Sequence, residues 1–281
     1  MWASFFIVWR ESVEALLVIG ILYAWVKRER NTHGLSQIWL GSGLGLLLAA
    51  MLALAIRYAG EWYAGPGGEW FLTIMMLIAA LLILQMVIWM QRHGRTMKRD
   101  LEQAAAAKVA SGSGFGLIAL SALAVGREGS ETVVFLTGTI QQAPSLSAFI
   151  IGSVLGLILA IITFGLLQIF SHVIPWKWFF RISAFILLLL GGALLVAASD
   201  KIVGQLAVWE DLPDWAFTII YDPLWDMSWI FADAQGTAAS LTGYYAAPTL
   251  SQYGPLALYW LCACLFFVRR DGKNMGKLQA A

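Results

Sequence analysis

Arg10-Glu11-Ser12-Val13-Glu14 and Arg127-Glu128-Gly129-Ser130-Glu131 repeat one pattern, R-E-x-x-E, and each copy lies inside a stretch otherwise apolar enough to cross a bilayer. An ionisable side chain near the bilayer centre costs roughly 2.5 to 3.5 kcal/mol on insertion scales. Six of them would cost on the order of 15 to 20 kcal/mol unless they faced one another. The two stretches are therefore read as helices turned inward toward a shared polar interior. The rest of the chain agrees: 60% of its 281 residues are hydrophobic and 12% charged, and the mean hydropathy is +0.74. Such values place it among all-α polytopic membrane proteins.

Outward from the motifs, apolar runs bounded by charge predict seven transmembrane helices, near residues 2–26, 36–57, 70–91, 115–138, 147–172, 179–199 and 250–268. The first run carries Arg10, Glu11 and Glu14 and no basic leader, so it reads as a retained helix rather than a signal peptide. Of the 18 Lys and Arg residues, 14 fall on one side: after the first span, after the third, between the fifth and sixth, and after the seventh. The positive-inside rule then sets the N-terminus outside and the C-terminus in the cytoplasm. We expect one multi-pass domain in the cytoplasmic (inner) membrane, with lipid as its surroundings. Its parts are a first three-helix unit (1–92), a cytoplasmic connector (93–113), a second three-helix unit (114–199), an outer loop (200–249), and a seventh helix with its tail (250–281). Trp209, Trp215, Trp225 and Trp229 suggest that the outer loop follows the membrane interface.

The halves resemble each other beyond the charged motif. Leu40-Gly41-Ser42-Gly43-Leu44-Gly45-Leu46-Leu47-Leu48-Ala49 aligns with Ile151-Gly152-Ser153-Val154-Leu155-Gly156-Leu157-Ile158-Leu159-Ala160, seven pairs of ten being identical. Trp70-Phe71 opens span three as Trp178-Phe179 opens span six. A repeat of three spans must enter the membrane from opposite sides. The expectation is an inverted 3+3 repeat plus a C-terminal helix, the plan that places transporter substrate sites near the midplane. Gly41/Gly45 and Gly152/Gly156 read as close helix–helix contacts.

Residues three and four apart share a helix face, so Arg10, Glu11 and Glu14 project together, as do Arg127, Glu128 and Glu131. A rise of ~1.5 Å per residue puts Glu11 about 14 Å deep, near the middle of a ~30 Å core. Face to face, the helices gather four carboxylates and two guanidinium groups, an overall excess of negative charge that asks for a cation. An oxygen-only donor set suits hard metal ions. A purely structural ion pair needs one acid per base, and each motif has one acid too many. The candidate metal ligands are Glu11, Glu14, Glu128 and Glu131, with Arg10 and Arg127 as motif arginines. Ser12, Ser130 and Thr132 read mainly as hydroxyls bonded to their own helix, and Met75, Met76, Met86 and Met90 as packing. His33, His93 and His172 fall at cytoplasmic ends, which supports neither a haem pair nor an intramembrane catalyst. Cys262 and Cys264 are two apart on a helix and point to different faces, which argues against a disulfide between them. In the outer loop, Asp222-Pro223-Leu224-Trp225-Asp226 reads first as a helix cap on Asp222. Its second reading has Asp222 and Asp226 collecting metal at the outer mouth of the path or docking a donor protein.

The paired motifs on spans one and four, the seven spans and the Asp222–Asp226 segment together resemble the oxidase-dependent iron transporter family, which includes fungal high-affinity iron permeases and bacterial EfeU-type permeases. The resemblance implies high-affinity import of iron (Fe3+ or Fe2+) as a transported substrate, with Glu11, Glu14, Glu128 and Glu131 as its ligands. It implies no permanently bound cofactor and no enzyme activity. It also implies a separate periplasmic or extracellular iron-oxidising or iron-delivery protein. Ser12-Val13 and Ser130 replace residues common in the family's motifs, without removing a charge.

The rival expectations are a transporter of another divalent metal, such as manganese or lead, and a membrane protein that senses or binds iron without moving it. A membrane protease or redox subunit would need catalytic pairs that are missing at membrane depth. The near-neutral net charge of +1 argues against nucleic acid as a partner. A homo-oligomer stays open.

Overall fold

A computed structural model describes residues 1–30, 32–62, 66–94, 96–110, 115–169, 176–209, 220, 222–228 and 241–278. Helices dominate them: α1 (Trp2–Arg28), α2 (Thr32–Trp62), α3 (Pro66–His93), α4 (Met97–Ala110), α5 (Gly116–Thr139), α6 (Leu146–Ile169), α7 (Trp176–Trp209) and α8 (Leu250–Leu278). No strand longer than the isolated Pro223–Thr249 bridge occurs among the described residues. Four helical stretches are long and apolar enough to cross a membrane by composition alone: His33–Trp62, Gly67–Gln91, Leu146–Ile169 and Phe179–Leu206. α1 and α5 are as long, with 27 and 24 residues. They differ in carrying three ionisable groups each at mid-length, which lowers their hydropathy where the charges sit.

The chain divides into two compact units. One contains Met1–Leu72 and Trp89–Ile186, and the other Thr73–Ile88 and Leu187–Ala281. In the first, α1 packs on α5 and α6, and α5 packs on α2. α1 and α5 run antiparallel: Val18, Leu22 and Trp25 late in α1 share an apolar cluster with Leu117 at the start of α5. Ala105 of α4 completes that cluster, which caps this end of the helix pair. Glu11 lies 14 residues from Trp25, and Glu128 lies 11 from Leu117. At ~1.5 Å per residue both motifs reach similar depth from the shared end.

The glycine pairs show how closely the two halves correspond. A Cβ on Gly41 would meet Ser121 Oγ and the Ile118 carbonyl, and one on Gly152 would meet Ser4 Oγ and the Met1 carbonyl. A Cβ on Gly45 would meet the Ala122 carbonyl and Gly126 nitrogen, and one on Gly156 the Phe5 carbonyl and Trp9 nitrogen. Shifting α1 numbers by the 117 residues that separate Arg10 from Arg127 turns Met1, Ser4, Phe5 and Trp9 into Ile118, Ser121, Ala122 and Gly126. Thus α2 sits on α5 as α6 sits on α1, atom for atom at these four positions. Only hydrogen at Cα permits such approach.

In the second unit, α7 continues through Trp209, past the apolar run that ends at Ala198. Asp200 and Lys201 interrupt the hydropathy without breaking a helix-compatible sequence, and Asp200 Oδ2 accepts a hydrogen bond from Gln252 of α8 at 3.1 Å. Tyr259 of α8 donates to the Leu188 carbonyl, 3.1 Å away. Residues 222–228 form no helix, so Asp222 is not the cap that Pro223 suggested. Backbone bonds from Leu224 to the Pro248 carbonyl and from Met227 to the Ala246 carbonyl hold this segment along 246–249 instead. Trp215 and Trp229, two of the anchors expected at the interface, lie outside the described residues.

Candidate functional site

Both motifs lie in the first unit, where α1 faces α5. Arg10 is 1% exposed and sits between its two neighbours. Its Nη1 donates to Glu11 Oε1 at 2.6 Å, while its Nη2 lies 2.6 Å from Glu14 Oε1, an ion pair by distance with poor hydrogen-bond alignment. The same Nη2 lies 3.1 Å from Met90 Sδ of α3. A helical spacing of four brings Arg10 and Glu14 together, as the first motif requires.

The second motif is built differently. Arg127 Nε donates to Glu131 Oε1 at 2.8 Å, and the Arg127 side chain is 40% exposed. Its guanidinium carbon lies 4.2 Å from the centre of the Trp89 ring on α3, within the range of a cation–π contact. Ser130 and Thr132 donate to the Arg127 and Glu128 carbonyls, so both hydroxyls are spent on their own helix, as expected for Ser and Thr in apolar helices.

Three carboxylates from the two helices converge. One oxygen each of Glu11, Glu128 and Glu131 lies within 4.8 Å of the others. Among the described residues this is the one group of three or more His, Cys, Asp or Glu side chains so close together. Metal–oxygen distances of about 2.0 to 2.6 Å put all three within reach of one cation after small side-chain shifts. Glu11 Oε2, Glu128 Oε2 and Glu131 Oε2 are buried without a hydrogen-bond partner. Leaving a buried acceptor unpaired is costly, and doing so three times in one cluster indicates groups shaped for something positive.

Of the four sequence-derived glutamates, three form the triangle. Glu14 is the exception, held by Arg10 at its edge. Asp222 and Asp226 lie in the other unit, both exposed, with Asp226 accepting the Ser228 amide at 2.8 Å. That bond from Ser228 holds the Asp226 carboxyl below its ordinary range. Sequence reading missed Trp89 and took Met90 for packing alone, because an aromatic and a thioether on an apolar helix carry no sign of a charged neighbour.

The chain matches the profile of the Iron permease FTR1 family over residues 1–269. It belongs to the FTR1 iron permease family. This FTR1-family chain is 28% identical over 291 residues to the ferrous iron permease EfeU of Yersinia pestis, covering 100% of this chain and 98% of that protein. It is 28% identical to the ferrous iron permeases EfeU of Escherichia coli O6:K15:H31 and of Shigella sonnei, with 95% of each chain covered. No solved structure is a significant match. The family and the apolar helices make the protein a multi-pass membrane transporter, not an enzyme, with iron uptake as the family's activity.

Proposed function

We propose that this FTR1-family member imports iron across the cytoplasmic membrane through the Glu11–Glu128–Glu131 triangle, with the N-terminus outside. The observation that carries this reading is the convergence of three carboxylates from α1 and α5, each with one buried, unpaired oxygen. Oxygen donors favour a hard cation. An incoming ion meets the unpaired Oε2 atoms of Glu11 and Glu131 and then competes for these carboxylates with Arg10 and Arg127, which hold the Oε1 atoms. Glu14 accepts the released Arg10, which gives the fourth glutamate a part without making it a ligand of the same ion.

The paired contacts of Gly41/Gly45 and Gly152/Gly156 support an inverted 3+3 repeat. In such a plan the site lies at the midplane, and rocking of one repeat against the other exposes it to each side in turn. A seventh helix and a cytoplasmic C-terminus complete the proposed topology, in keeping with the basic clusters. Asp222 and Asp226 are proposed to receive iron, or the protein that delivers it, at the outer surface. The curated relatives are named for ferrous iron, whereas resemblance to oxidase-dependent transporters points to ferric iron handed over by an external oxidising partner.

Radio-iron uptake into liposomes holding the purified protein, under separately controlled ferrous and ferric conditions, tests the proposal. Saturable flux is expected in one condition and is lost in the Glu11→Gln/Glu128→Gln variant. Flux that survives in that variant, or manganese flux that excess iron fails to suppress, overturns the reading.

A further inference from the structure

Residues 89 and 90 are consecutive on α3, yet each meets the arginine of a different motif. Trp89 lies under Arg127 at 4.2 Å, and Met90 Sδ lies 3.1 Å from Arg10 Nη2. The two halves do not share this feature. By the alignment of Trp70-Phe71 with Trp178-Phe179, the positions on α7 that correspond to Trp89 and Met90 are Ala197 and Ala198, neither of which offers an aromatic face or a thioether. One helix thus supplies seats for both arginines.

We propose that Trp89 and Met90 are positioning residues for cation binding. Trp89 holds Arg127 when the cation draws Glu131 from it, Met90 lets Arg10 move toward Glu14 when Glu11 is drawn away, and together they set how strongly the arginines compete with the ion. The inference rests on the proposed site.

The physics differs between the two seats. Before the cation arrives, Arg127 is neutralised by Glu131, and the indole face adds a second favourable contact. Once Glu131 turns to the ion, the guanidinium keeps its charge and loses its closest counter-ion. The ring face at 4.2 Å stays with it and matters more once that pairing weakens, so the ring favours the loaded state more than the empty one. Met90 acts more weakly. A thioether is a poor acceptor, and it lets Arg10 Nη2 shift toward Glu14 at small cost when Glu11 is withdrawn. A stronger acceptor at position 90 would tether the guanidinium.

The test is iron uptake kinetics in proteoliposomes for Trp89→Leu, Trp89→Phe, Met90→Leu and Met90→Gln, each also made with Arg127→Gln. Uptake by the wild-type protein, lost in Glu11→Gln/Glu128→Gln, first establishes the site, so failure there is failure of the proposed function and not of this inference. Trp89→Leu is expected to raise KM about tenfold with a much smaller change in kcat, as the loss of a partly desolvated cation–π contact predicts. Trp89→Phe should recover most of that loss, because a ring face returns. In the Arg127→Gln background, Trp89→Leu should change KM by less than about twofold, since the ring then has no guanidinium to seat. Met90→Leu is expected to change KM only slightly, and Met90→Gln to raise it more than Met90→Leu does. An equal KM increase for Trp89→Leu with and without Arg127, or failure of Trp89→Phe to improve on Trp89→Leu, would show that Trp89 only fills space and overturn the proposal. The same holds for a wild-type KM in Trp89→Leu.

Discussion

The two R-E-x-x-E motifs have the same charges at the same spacing and occupy unlike environments. The first is closed: Arg10 is clasped by Glu11 and Glu14, and all three are at most 4% exposed. The second is open, because Arg127 is 40% exposed on its side chain, pairs with Glu131 and lies on an aromatic ring. Around them the backbone keeps the correspondence, since Gly41 and Gly45 meet α5 as Gly152 and Gly156 meet α1. Symmetry in the helix contacts thus coexists with asymmetry in the charges. A repeated backbone can carry two like sets of charges in unlike surroundings, since Trp89 and Met90 of α3, which the repeat does not share, each meet the arginine of one motif.

The largest effect should come from the carboxylates that cross this comparison. Glu11→Gln, Glu128→Gln and Glu131→Gln are each expected to lower iron uptake by about a hundredfold or more, the scale of losing one charged partner in a poorly solvated site. Glu14→Gln should lower it roughly tenfold, through Arg10, because a freed guanidinium then holds Glu11 more firmly. Uptake assays on the four single variants check this ranking. Equal losses at all four would mean that Glu14 binds the same ion and that the two motifs are functionally alike.

The arginines come next. Removing one partner of a buried ion pair leaves charge uncompensated and typically costs about 3 to 5 kcal/mol, whereas a partly exposed pair contributes about 1 kcal/mol or less. Arg10→Met is therefore expected to lower unfolding stability in detergent far more than Arg127→Met. Similar losses would erase the distinction between a closed and an open motif.

Glycine substitutions probe the symmetric part. Gly41→Ala and Gly152→Ala should each destabilise the protein, by similar amounts, since the added methyl runs into equivalent atoms in both halves. Gly43→Ala and Gly165→Ala, where nothing lies within 4 Å, should be neutral or slightly stabilising because alanine favours helix. Thermal unfolding of the four variants decides the point, and strongly unequal losses at Gly41 and Gly152 would break the correspondence.

The smallest effect lies away from both motifs. Bonding from Ser228 depresses the folded-state pKa of Asp226 below the ordinary 3.8. A depressed carboxylate contributes local order that is present above that value and fades as pH falls through the lower, folded value. Asp226→Asn should speed exchange of the Ser228 amide at neutral pH, and the difference should shrink in strong acid. Hydrogen exchange across pH measures it; a difference that persists unchanged below the folded pKa would contradict the assignment.

Much of the site was legible in the sequence because buried charge in an apolar run admits few explanations. Arg10, Glu11, Glu14, Arg127, Glu128 and Glu131 pointed to facing helices, and helical spacing placed each set on one side. The Gly41/Gly152 alignment pointed to matched helix contacts. What the sequence hid depends on three-dimensional neighbours. Trp89 and Met90 look like any apolar pair on α3. The grouping of Glu11, Glu128 and Glu131, with Glu14 beside them on Arg10, depends on how α1 meets α5, which spacing along one helix leaves open. The Asp222-Pro223 pair resembles a helix start, but hydrogen bonds to the backbone at 246–249 hold the segment instead.

Whether carboxylates from both helices hold one ion is decided by equilibrium iron binding to the purified protein, measured for the wild type beside Glu11→Gln and Glu128→Gln. A shared site predicts tight binding of a single ion per chain, with affinity falling by about a hundredfold or more in either variant, as the loss of a charged ligand in a poorly solvated cluster requires. Tight binding that survives the loss of either glutamate would contradict it, because the ion would then be held by one helix or elsewhere.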